Sequence, residues 1–100
     1  MNQRNDELIQ IRNEIDAIDQ QLLELLNHRA TCALKVATIK IKHEGAEVEF
    51  YRPEREAQVL KKIADQNKGP LSAKSLMVIF RLIMTECRHL EMSHPSEPKL

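Results

Sequence analysis

Two cations stand where a long helix should present apolar side chains, and their spacing sets the first constraint on chemistry. Arg29 and Lys40 are eleven residues apart, three helical turns to within about 20°, so on one helix they project from one face roughly 16 Å apart. Long side chains leaning toward each other across that gap can bracket a small anion. The same placement suits two side chains that snorkel from the rim of a core and keep their charges in water. Arg12 stands seventeen residues before Arg29, about 25 Å along the same rod and turned roughly 100° away. One chain cannot close both around one ligand, but in an antiparallel pair of chains Arg12 of one can approach Arg29 of the other. On its own, Arg12 reads more readily as a solvated helix residue.

Carboxylates interrupt apolar patterns as well. Arg55 and Glu56 fall in the first turn of a second helix, and Glu56 lies three and four residues before Val59 and Leu60, on the apolar side. A carboxylate there needs a cation or a hydroxyl to accept from; favourable placement near the positive pole of the helix is its ordinary explanation. Glu91 continues the Ile83–Cys87 face at the end of a third helix, where fraying into water is the ordinary reading. The histidines His28, His43, His89 and His94 show no ligand spacing with each other or with cysteine, so no metal is expected. No nucleophile elbow, phosphate-binding loop or dinucleotide fingerprint is present.

These side chains must be held by helices. Residues 6–42 run without Gly or Pro, and Leu8, Ile11, Ile15, Ile18, Leu22 and Leu25 step by three and four, the seam of a helix that packs along a neighbour. Arg29 occupies the next seam position before Cys32, Val36 and Ile39 resume it. Asn5 or Asp6 is available as the cap, and Gly45 ends the helix. Residues 44–52 form a loop that Phe50 and Tyr51 pin to the body. Pro53, followed by Glu54 and Glu56, opens the second helix, which Asn67-Lys68-Gly69-Pro70 stops. Ser72 caps a third helix with the face Leu76, Ile79, Phe80, Ile83, Cys87 and Leu90. The expected fold is all-α, one very long helix and two shorter ones that cover one side of it. Leu22, Leu23, Leu25 and Leu26 spread around more than one side, so a single chain leaves apolar seam in water. The economical remedy is an intertwined antiparallel homodimer.

The chain of 100 residues allows one domain, at residues 1–92, followed by a linker-like or disordered tail at 93–100. Fifteen basic and fifteen acidic residues cancel, and only three residues are aromatic, which excludes a global field or a stacking platform for nucleic acid. Cys32 and Cys87 sit within apolar patterns and read as buried thiols of a reducing compartment. The first residues lack the apolar stretch of a secretory signal and no run approaches a membrane span, so a cytoplasmic protein is expected.

Taken together, IRNEIDAIDQQLLELLNHR, VATIK, FYRPEREAQVLKKI and NKGPL closely resemble the all-helical chorismate mutases, above all the mutase domain that opens bifunctional chorismate mutase/prephenate dehydratases. The resemblance covers residues 6–92. It implies the intertwined helical dimer, and it implies the Claisen rearrangement of chorismate to prephenate on the route to phenylalanine and tyrosine, without a cofactor. Carried over residue by residue, the carboxylate-binding arginines fall on Arg29 and on Arg12 of the other chain. The lysine that hydrogen-bonds the ether oxygen of the breaking bond falls on Lys40, and the second helix's arginine and hydroxyl-accepting glutamate fall on Arg55 and Glu56. The last polar contact to the ether oxygen falls on Glu91.

Three positions depart from the family pattern. Many relatives have Gln where this chain has Glu91, and a carboxyl can donate to an ether oxygen only when protonated; a raised pKa, from burial near other carboxylates, is therefore expected there. Arg52 stands where some relatives have Asp, and Cys87 where some have Ser; both are kept as candidate substrate contacts. The chain's end after a linker-like tail suits either a fragment or a mutase without the dehydratase domain. Two rival functions share the same scaffold, an isochorismate pyruvate lyase and a non-catalytic helical dimerisation module.

Overall fold

A computed structural model describes residues 2–93. The chain forms α1 (Gln3–Glu44), α2 (Pro53–Gln66) and α3 (Ala73–Ser93), and the described residues contain no strand. The helical punctuation acts as the sequence implies. Gly45, with φ of 95°, terminates α1 and donates its N–H to the Ile41 carbonyl at 2.9 Å, a left-sided φ that a side chain would resist. Pro53 is the first residue of α2. Ser72 Oγ accepts from the Ser75 N–H at 3.0 Å and so caps α3. Asn67 holds the intervening turn, donating through Nδ2 to the Leu71 carbonyl at 2.8 Å and accepting from the Gly69 N–H at 3.0 Å.

The start of α1 differs from expectation. The cap is Asn2, whose side chain accepts from the Arg4 N–H at 2.9 Å, rather than Asn5 or Asp6. Nothing between Asn2 and Asp6 opposes a helix, so the first available cap is used. Ser93, expected to open the tail, is the last residue of α3, and the remainder of that tail, 94–100, lies outside the described residues.

The arrangement of the helices is also more particular than expected. α3 packs on both α1 and α2, but α2 does not pack on α1. The contact with α1 uses its second half, where Ala30, Ala33 and Ala37 recur at helical spacing and Ala37 is completely buried. Small side chains there let α3 approach closely. The first half of α1 is bare: Ile11, Ile15, Ile18, Leu22 and Leu25 are between 48% and 63% exposed. The result is an elongated object of 64 × 36 × 15 Å with a radius of gyration of 18.4 Å, against about 13 Å for a compact chain of this length. The longest dimension is that of α1, about 63 Å at 1.5 Å per residue. No helix among the described residues is long and apolar enough to cross a membrane.

The core within one chain is correspondingly small, with Ala37, Leu60, Met84 and Cys87 as its buried residues. Leu60, 6% exposed, carries the packing of α2. Leu60→Ala should lower the unfolding free energy by about 2–5 kcal/mol, whereas truncating its exposed neighbour Lys61, paired only with Asp65 on the helix surface, should change it by less than about 1 kcal/mol. Urea unfolding followed by circular dichroism measures both. Equal losses would contradict this assignment of the core.

Candidate active site

Three helical stripes and one loop converge on a single cavity of about 320 Å³. α1 contributes Arg29, Cys32, Ala33, Val36 and Lys40, spaced as one helical face; α3 contributes Met84, Cys87, Arg88 and Glu91 at the same kind of spacing. The first turns of α2 supply Arg55, Glu56 and Val59, and the loop supplies Phe50 and Arg52. Seven of the eight residues singled out in the sequence therefore meet here: Arg29, Lys40, Arg52, Arg55, Glu56, Cys87 and Glu91. The eighth, Arg12, is exposed on the uncovered half of α1 and does not reach the cavity of its own chain.

The lining is strongly cationic although the whole chain is neutral. Five cations, Arg29, Lys40, Arg52, Arg55 and Arg88, face two carboxylates, Glu56 and Glu91. Such a concave site with an excess of positive charge suits a small molecule carrying more than one negative charge. Arg29 Nη1 donates to Cys87 Sγ at 3.4 Å, so α3 orients the guanidinium. Lys40 Nζ lies 5.9 Å from the centroid of the Phe50 ring, a cation–π contact by which the loop is pinned over α1. Arg52 lies at the rim, with Nη2 at 3.6 Å from Glu44 Oε1 and both side chains about half exposed.

Burial holds the Glu91 carboxyl above its ordinary range; Lys40, Arg88 and Arg29 oppose the shift by favouring the charged form. The direction is the one expected from the sequence, but the cause is only half of it. Desolvation raises this pKa, and the charges that act on it are cations rather than other carboxylates.

Two features of the site run against what the sequence pattern suggests. Cys32 is not buried but exposed along the cavity wall. Arg88, which its sequence position alone does not single out, donates from Nη1 to Glu56 Oε2 and places its guanidinium carbon 4.7 Å from the centroid of Tyr51. A signal existed: Arg88 lies four residues after Met84 and three before Glu91, within the inward stripe of α3.

Known proteins place these residues in context. Residues 11–92 match the family model described as chorismate mutase type II. The chain is 49% identical over 88 residues to a bifunctional chorismate mutase/prephenate dehydratase of Pseudomonas aeruginosa and 48% identical over 92 residues to one of Neisseria gonorrhoeae, covering 86% and 91% of this chain. It spans 24% of the length of each of these relatives. Among solved structures, a chorismate mutase from Helicobacter pylori in complex with prephenate superimposes with a TM-score of 0.81 at 32% identity, covering 92% of this chain and 97% of that one.

In carbon-13 spectra of protein labelled at glutamate carboxyls, Glu91 should titrate above the ordinary glutamate value of about 4.3. Removing its largest opposing charge with Lys40→Met should move it higher still. A Glu91 that titrates at or below the ordinary value would contradict the desolvation described.

Proposed function

The chain belongs to the type II chorismate mutase family, and from that membership we propose that it rearranges chorismate to prephenate, acting as an antiparallel homodimer whose two sites are each completed by the other chain. The carrying observation is the convergence of Arg29, Lys40, Arg55, Glu56 and Glu91, drawn from all three helices, on one cation-rich cavity of about 320 Å³. The structural likeness to a chorismate mutase solved with prephenate supports the same reading.

The reaction breaks a carbon–oxygen bond and forms a carbon–carbon bond within one molecule. The protein therefore has to hold the dianion in its reactive shape and stabilise the charge that develops on the ether oxygen. Arg29, oriented by Cys87, takes one carboxylate, and Arg12 of the second copy takes part from the open side. Lys40 donates to the ether oxygen, and Glu91 does so in its protonated form. Glu56 accepts from the ring hydroxyl, because only one of its oxygens is engaged by Arg88. Arg55 and Arg52 add positive charge at the mouth. The exposed apolar residues of α1 support the second copy, since covering the remaining exposed half of each Leu or Ile side chain contributes about 1 kcal/mol. The free thiols Cys32 and Cys87 suit a cytoplasmic location.

Purified protein mixed with chorismate should yield prephenate, seen by proton NMR, and Arg29→Ala or Lys40→Ala should lower kcat/KM by about a hundredfold or more. Release of pyruvate from isochorismate with no prephenate formed would assign the scaffold to a lyase instead, and no turnover by an intact dimer would remove the enzymatic reading.

Two further outcomes follow from the shared, pH-sensitive site. Because Glu91 donates only when protonated, turnover should fall as pH rises through its raised pKa, and Glu91→Gln should abolish that fall; identical profiles would exclude the role. Inactive Arg12→Ala and Arg29→Ala chains, mixed under exchange, should regain about a quarter of wild-type activity, since half the dimers are then mixed and each has one intact site. No recovery despite exchange would argue against shared sites.

A further inference from the structure

Arg88 is held in two directions at once. Its guanidinium carbon lies over the Tyr51 ring in the loop, 4.7 Å from the centroid, and its Nη1 donates to Glu56 Oε2 on α2. The two side chains of the ion pair are only 20% and 24% exposed, so the pair is largely removed from solvent. A cation–π contact on one side and a charge-assisted hydrogen bond on the other restrain a guanidinium more fully than they would a lysine ammonium, which is a compact point charge on a flexible stem. The pair also joins α3 to the first turn of α2, where the Glu56 N–H donates to the Arg52 carbonyl at 3.0 Å.

Resting on the function proposed above, we propose that Arg88 is a positioning residue for the rearrangement: it locks the Glu56 carboxylate in the orientation that receives the substrate's hydroxyl and clamps the loop to α3 through Tyr51. One oxygen of Glu56 is anchored and the other stays open to the cavity. In this role Arg88 acts through Glu56, the carboxylate to which its Nη1 is committed. Its charge has a second effect. Arg88 is one of the cations that oppose the upward shift of Glu91, together with Lys40 and Arg29 from α1. The other charged groups lining that cavity are Arg52 from the loop and Arg55 and Glu56 from α2.

A double-mutant cycle on the intact dimer separates this from a purely structural clip. Arg88→Gln should lower kcat/KM about ten- to hundredfold, the loss of one charge-assisted hydrogen bond, and Arg88→Lys should recover part of it. In a Glu56→Gln background the same Arg88→Gln change should cost no more than about twofold, because its target is already gone. Where turnover of the Glu56→Gln variants is too slow to follow, prephenate affinity by calorimetry closes the same cycle. The alkaline limb of the pH profile should move to higher pH in Arg88→Gln, with a cation removed from Glu91, and stay near wild type in Arg88→Lys. Multiplicative losses in the cycle, or an alkaline limb that does not move in Arg88→Gln, would overturn the positioning role while leaving an active wild type. A wild type that neither converts chorismate nor binds prephenate would instead bring down the function on which the role rests.

Discussion

Everything in this chain depends on how closely α3 lies along the second half of α1. Alanines at 30, 33 and 37 remove the side chains that would hold the two helices apart, and Ala37 is completely buried. That approach lets Cys87 touch the Arg29 guanidinium and sets Glu91 among Arg29 and Lys40. α2 does not pack its backbone against α1; it is carried into place by α3, with Leu60 and Met84 buried and the Arg88–Glu56 pair joining the two helices. The cavity is thus the gap left between α1 and α2 when both are mounted on a third helix.

The same geometry explains why a neutral chain can make a strongly cationic site. Charges spread evenly over a surface are screened within about 10 Å, but here five cations line one concavity whose walls also include Ala33, Val36, Phe50, Val59 and Met84. Apolar walls strengthen the cations' hold on a bound anion and at the same time desolvate Glu91. One environment therefore has two opposite electrostatic effects, concentrating positive charge in the cavity and raising the pKa of the one carboxyl that burial desolvates there. The uncovered half of α1 belongs to the same picture: its Ile and Leu side chains lie in water in the single chain, and on the dimer proposed above a second α1 running the other way would cover them and bring its own Arg12 toward the cavity.

Much of this was legible in the sequence, for local reasons. Gly45, Pro53, the Asn67–Pro70 turn and Ser72 each act within a few residues, so the end of α1, both ends of α2 and the start of α3 followed from backbone chemistry, while the start of α1 and the end of α3 did not. Arg29, Lys40, Glu56 and Glu91 stood out because a charge on an apolar face is costly wherever the face ends up. Arg88 did not, because a charged residue between Cys87 and His89 looks solvated until its partner, 32 residues earlier in the chain, is brought alongside. Nor could periodicity reveal that α2 leans on α3 and not on α1, since both shorter helices carry an apolar stripe that would serve either neighbour. Cys32 looked buried for the converse reason: its position in the seam is apolar, but the space in front of it is the cavity itself.

The most direct test of the account is a crystal structure of the protein with prephenate bound. The expected result is a dimer of antiparallel α1 helices with the product in the cavity of each chain, its carboxylates on Arg29 and on Arg12 of the other chain, and Lys40 and Glu91 at the oxygen released from the broken bond. Prephenate held wholly by one chain, with Arg12 in solvent, or seated outside the cavity lined by Arg29 and Lys40, would contradict it.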